Sequence, residues 1–65
     1  MALQSHQERV IAECEGLEKR TTALANFCRS EKFREVDVVE QDRLMRQLSH
    51  MTEYLRVLTE RVGAF

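Results

Sequence analysis

Proline is absent from this chain and glycine occurs only twice. Without proline no helix is kinked or ended by a missing amide, and abundant Leu, Glu, Arg and Gln complete a helix-forming composition. No apolar run approaches the roughly 18 residues that a membrane span requires. The opening MALQSHQERV lacks the apolar stretch of a secretory signal, so the expected compartment is the cytosol. A surplus of one sign of charge is also missing, with ten Lys and Arg against eleven Asp and Glu for a net charge of −1. That balance argues against a duplex DNA binder and against a basic helix lying on an anionic membrane.

Signatures of catalysis are missing too. There is no glycine-rich phosphate loop, nucleophile elbow or zinc-protease helix motif. Cys14 and Cys28 have no Cys or His at metal-ligand spacing, so neither a metal nor a cofactor is expected. On one straight helix these cysteines stand about 21 Å apart, too far for a bridge that needs Cα atoms within about 7 Å. They read as small apolar core residues, or as an intersubunit contact. His6 and His50 do not come together in any simple pairing of the two halves of the chain, and the expectation is a non-enzyme.

What is present is periodicity. Leu3, Val10, Leu17 and Leu24 recur every seven residues, and Cys14, Thr21 and Cys28 follow the last three by four. This is an a/d seam over about three heptads, with Thr21 as its polar interruption. Ile11, Ala25 and Phe27 widen the stripe, as in a helix with more than one neighbour. Gly16 lies inside the pattern at a cost of about 1 kcal/mol relative to alanine; it is either tolerated or marks a close approach or a slight bend. The seam fades at RSEKFREVD, where Phe33 or Val36 would close the end of the core. Asp37 followed by Glu40 resembles a capping box.

In the second half Leu44, Leu48, Met51, Leu55, Leu58, Val62 and Phe65 alternate spacings of four and three, with Met45 and Val57 beside them. The spacing predicts helix 1 over about 3–29, a connector over 30–37 and helix 2 over about 38–62, with Gly63 as a C-terminal stop. Two seamed helices joined by a short connector fold back on each other, with arms about 35–40 Å long. Residues 1–65 make at most one small domain, whose core seldom exceeds about 3–5 kcal/mol without staples or partners. A lone hairpin also covers only one side of each broad stripe. The expected fold is therefore all-α, an antiparallel two-helix hairpin assembling into a homo-oligomeric helical bundle. Its interface would use Val10, Cys14, Leu17, Leu24, Leu48, Met51, Leu55, Leu58, Val62 and Phe65.

A second spacing runs beside that seam. Arg46, His50 and Tyr54 stand four residues apart, with Arg43 three before the first. Pairing the arms about residue 34 brings Lys19 and Arg20 near Leu48, and so near Arg46 and His50. It also sets Cys14 opposite residue 54. Arginine forks match phosphate oxygens and an aromatic face stacks on a base, so a small nucleotide-like anion is the natural ligand class. Spacing alone favours reading the same column as a solvated helix shoulder, whose cations pair with Glu15, Glu18 and Glu53. Tyr54 can also rest its ring on another subunit with its hydroxyl in water.

The order of residues resembles a family of small bacteriophage proteins, among them one related to crAss-like phages. The matching pieces are HQERV at 6–10, SEKF at 30–33 and RQLSHMTEYLRVLTERVGAF at 46–65, within which Arg46, Gln47, Met51, Tyr54, Leu58, Arg61, Val62 and Phe65 are family-like. Cys14 and Gly16 depart from it, standing where longer or charged residues are expected. The family is similar in size and hairpin form to phage sponge proteins that counter the CBASS and Thoeris defences. Such sponges oligomerise and hold cyclic oligonucleotides or cyclic ADP-ribose derivatives between subunits without hydrolysing them. The resemblance implies an antidefence sponge in the host bacterial cytoplasm, a homo-oligomer whose small nucleotide ligand lies at a subunit interface. Lys19, Arg20, Arg43 and Arg46 would hold phosphates, Tyr54 and Phe33 would stack on a base, His50 would donate a hydrogen bond, and Gln47 would stand beside them. The alternatives are an oligomeric helical adaptor that inhibits a host or phage protein and, more remotely, a regulator of transcription acting through protein contact.

Overall fold

A computed structural model of the chain describes residues 3–65. Its elements are α1 (Ser5–Cys28), the one-turn α2 (Glu31–Arg34) and α3 (Val38–Gly63), and no strand occurs among the described residues. α1 and α3 are the arms of an antiparallel hairpin whose principal extents are 50 × 15 × 14 Å. The expected connector is thus partly helical. Leu3, expected to open the first seam, precedes α1 and is exposed.

Local chemistry accounts for where the arms begin. At the start of α1 the Gln4 N–H donates to Gln7 Oε1 at 2.9 Å. At the start of α3 the Val39 N–H donates to Asp37 Oδ2 at 3.1 Å, satisfying one of the amides that a helix start leaves unpaired. Glu40 does not complete the expected capping box; its carboxylate pairs with Arg43 instead. Each arm also opens on the same run, Gln-acid-Arg-apolar-apolar, at 7–11 and again at 41–45. In both runs the glutamine turns back on the backbone ahead of it. Gln41 does so twice, its Nε2 donating to the carbonyls of Phe33 at 3.0 Å and Val36 at 2.8 Å.

Those two bonds hold the turn closed. Ser30 assists, its hydroxyl donating to the Phe27 carbonyl at 2.6 Å. Phe33, half-buried, sets its ring edge-on to Phe27 with centroids 6.0 Å apart, a favoured aromatic geometry. At the other end Gly63 takes no left-handed conformation. α3 runs on to a right-handed cap at Ala64, so glycine's special freedom is not what ends it, contrary to the sequence expectation.

The core lies between the arms. Leu58 is 0% exposed, Leu17 4% and Val10 8%, with Cys14, Met51, Leu55 and Val62 packed around them. Thr21 is buried at the seam and donates its hydroxyl to the Leu17 carbonyl at 2.7 Å, so the polar interruption is satisfied within its own helix. Cys14 and Cys28 are free and half-buried. Leu24 and Leu48 are half-buried, while Phe65 lies past the end of α3 and is exposed. A Cβ on Gly16 would meet only the Arg20 guanidinium, at 3.5 Å, so no second helix approaches closely there.

Two substitutions test this packing. Leu58→Ala is expected to cost about 2–5 kcal/mol, which is comparable with the whole stability of a core this small, and to abolish the cooperative melt in circular dichroism. Gly16→Ala is expected to raise stability by about 1 kcal/mol in urea titration, because the added methyl group meets open space and ordinary contact.

Candidate functional site

Two contacts across the arms define two flanks of the hairpin. On one, the Tyr54 hydroxyl donates to the Glu13 carboxylate. On the other, Cys14 Sγ lies 3.8 Å from Thr59 Oγ1. The pairing of Tyr54 with Glu13 stays close to the register expected from a turn about residue 34. Thr59 rather than residue 54 meets Cys14.

Helical spacing assigns the remaining side chains to these flanks, because residues three, four and seven apart share a face. From Tyr54 the strip on α3 runs through Arg43, Gln47, His50 and Arg61. From Glu13 the strip on α1 runs through Arg9, Gly16, Arg20 and Phe27, with His6 a turn earlier. Both strips have the spacing four, three, four, seven. Arg9, Arg20, Arg43 and Arg61 are all exposed, and Glu13 is the one carboxylate along the strips between them. Glu40 reaches in at the turn end and pairs with Arg43 at 3.2 Å, in an exposed pair. Among the described residues, Arg9, Arg20 and Arg61 have no ion-pair partner. A chain of nearly balanced charge thus gathers arginines along one flank.

The residues expected to form the site are only partly brought together. Arg20, Arg43, Gln47, His50 and Tyr54 share the flank. Lys19 does not, because adjacent helical residues point about 100° apart; it lies on the outer side of α1 beside a shallow depression shared with Glu18, Thr22, Ala23 and Asn26. Arg46 also points outward and is bound to Asp42 at 3.0 Å. Phe33 is committed to Phe27 at the turn. Gln47 turns its amide to Met51 Sδ at 3.8 Å. Glu53, offered as a partner for the column, pairs with Arg56 at 2.7 Å. That hydrogen bond is the main cause holding Arg56 above its ordinary pKa, ahead of the charges of Glu53 and Glu60.

Tyr54 is 46% exposed, and its hydroxyl is spent on Glu13 rather than on water. Arg9, Glu13 and Arg61 were missing from the expected site. The repeated opening of the two arms is the signal that points to Arg9, since it sets Arg9 and Arg43 at opposite ends of the same flank; Glu13 and Arg61 carry no such signal. Chemically the flank presents cations along its length and one exposed aromatic ring, that of Tyr54. No group of three His, Cys, Asp or Glu among the described residues could hold a metal ion.

No helix of the described residues is long and apolar enough to cross a membrane. No solved structure matches the chain. It is 36% identical over 61 residues to an uncharacterised 7.5 kDa protein from the denB-rIIB intergenic region of Enterobacteria phage T4, a match covering 94% of this chain and 95% of that protein. Residues 4–64 match the family model described as Sequestin. With all but the extreme ends of the hairpin covered, the chain belongs to the Sequestin family.

Proposed function

We propose that this chain sequesters a small nucleotide-derived signal, a cyclic oligonucleotide or a cyclic ADP-ribose derivative, without cleaving it, and so acts as a phage antidefence sponge. The arginine flank is the observation that carries this reading. Guanidinium groups of Arg9, Arg20, Arg43 and Arg61 stand along a surface whose carboxylates are Glu13 and, at the turn end, Glu40, and phosphates are what such forks bind best. Tyr54 supplies a face for a base, and His50 donates from the same strip. The family's description as Sequestin supports holding a molecule rather than converting it. Kinship with crAss-like phage proteins, a homo-oligomeric assembly and action in the host cytoplasm belong to the same reading.

Glu13 has a definite part in it. In the free protein it occupies Tyr54 and partly neutralises the flank, so an arriving phosphate competes with it. A second reading, an adaptor for another protein, has support from Val38 and Val39, which stand exposed in the first turn of α3. A pull-down that recovers one protein in fixed stoichiometry would favour it.

Isothermal titration against cyclic dinucleotides, cyclic trinucleotides and cyclic ADP-ribose isomers is the test. Binding of at least one is expected, with the ligand released unchanged when the protein is denatured. Arg20→Ala and Arg43→Ala should each weaken it by about tenfold or more, the worth of a charged hydrogen bond. Glu13→Gln should tighten it about threefold at low salt, the effect of removing one nearby like charge in high dielectric. Silence across the whole panel would sink the proposal.

A further inference from the structure

The arginines of the flank are not evenly spread along it. In an antiparallel pair, each step back along α1 is met by a step forward along α3. Arg9 stands four residues before Glu13, which meets Tyr54, and five before Cys14, which lies against Thr59. The first contact sets Arg9 level with Leu58 and the second with Ala64; midway between them is Arg61. By the same reckoning His6 falls level with Ala64 and so beside Phe65, Arg20 falls level with His50, and Arg43 with Phe27. Arg9 and Arg61 are therefore the two arginines of the flank that stand side by side across the arms, at the open end of the hairpin.

Among the described residues, no carboxylate pairs with either of them. Three and four residues from Arg61 lie Val57, Leu58, Ala64 and Phe65, none of them acidic. The same positions about Arg9 hold Ser5, His6, Ala12 and Glu13, and the Glu13 carboxylate is taken by the Tyr54 hydroxyl. Glu8 and Glu60 adjoin the two arginines in sequence but point about 100° away from them, and the charge of Glu60 is felt by Arg56 on the outer side. Arg61 sits in the last turn of α3, where the negative end of the helix favours a cation. Arg9 is in the second turn of α1, toward the positive end, where a cation gains nothing from the helix. Two guanidinium groups brought to one level repel each other unless an anion lies between them.

The same end carries an aromatic ring. Phe65, 42% exposed, follows Arg61 by one helical turn, about 6 Å along the axis. Its N–H still donates to the Val62 carbonyl at 3.2 Å, so the backbone keeps to the helical path there. His6, also exposed, adds a donor from α1. Two forks, an imidazole and an exposed ring within a turn of one another match a phosphate that carries a base.

We propose that the open end of the hairpin is a nucleotide seat, in which Arg9 and Arg61 clamp one phosphate from opposite arms with His6 beside it and Phe65 against the base. This rests on the reading of the arginine flank as an anion-binding surface and narrows it to a place that one phosphate group fills. The bond between Tyr54 and Glu13 then has a further use, since it draws Glu13 off Arg9.

NMR titration of the ¹⁵N-labelled full chain at low ionic strength, with inorganic phosphate and with adenosine 5′-monophosphate, is the test. Saturable shifts are expected at the Arg9 and Arg61 side chains with phosphate, extending to His6 and Phe65 with the monophosphate. The monophosphate should bind about fivefold or more tightly than phosphate, the worth of one stacked base. Arg9→Gln and Arg61→Gln should each weaken both ligands by about tenfold or more, and Phe65→Leu should erase the advantage of the monophosphate. Arg56→Gln, on the outer side of α3, should change neither. All these side chains are exposed, so the variants keep the core, and their helix content in circular dichroism should match that of the unaltered chain. Shifts that grow without saturating, or that are equal at every arginine, would overturn the site, as would binding that survives both Arg9→Gln and Arg61→Gln. If phosphate binds here while every cyclic nucleotide stays silent, the sponge reading fails and this site stands. If a cyclic nucleotide binds through Arg20 and Arg43 alone, the site falls and the sponge reading stands.

Discussion

Among the described residues Leu58 is the one large side chain wholly removed from water, and it closes on Val10 and Leu17 from the other arm. In a hairpin this narrow, that contact does more than contribute burial. It sets the rotation of each helix about its own axis, and rotation decides which residues look sideways. With Leu58 facing inward, Tyr54 falls on one shoulder of α3 and Thr59 on the other. The same holds in α1 for Glu13 and Cys14 about Leu17. The two flanks follow directly from one small core.

The arms were largely legible in the sequence because their information is local. Spacings of four and three on α3 need no knowledge of the rest of the chain, and they place α3 within about a residue of where it lies. What was not legible is what depends on the partner arm. Lys19 and Arg20 are neighbours in sequence, yet helical geometry sends Lys19 away from α3 and Arg20 alongside it. Arg46 looked like part of a column with His50 and Tyr54, but three residues at intervals of four drift around a helix, and Arg46 ends on the outside with Asp42. Phe33 belonged to neither seam and so looked available for stacking; the turn uses it against Phe27. Gly63 follows a helix as a stop signal should, but the backbone there stays right-handed. The shared opening of the two arms is plain in the letters, but its meaning lies in the fold, which sets Arg9 and Arg43 on one flank.

Charge offers a related lesson. A net charge of −1 describes the chain as a whole and is sound grounds against a tight, nonspecific grip on a long polyanion. It says little about a ligand the length of a few helical turns. Acidic residues here lie mostly on the outer faces of the arms and at the turn, where pairs such as Arg46–Asp42 and Arg56–Glu53 are exposed and worth little. Their removal from the flank is what lets Arg9, Arg20 and Arg61 stand without partners there. Composition was averaged over surfaces that the fold keeps apart.

The bonds of Gln41 have a consequence for how the chain could be wired. An apolar seam does not distinguish the arm of its own chain from the same arm of a neighbour, so two hairpins could exchange α3 and bury the same residues. The arms of such an exchanged pair would be joined by a straightened connector, in which the carbonyls of Phe33 and Val36 would lose the amide that now bridges them. One glutamine side chain, donating twice at the base of the turn, thus weighs against domain swapping in a molecule whose core alone would permit it.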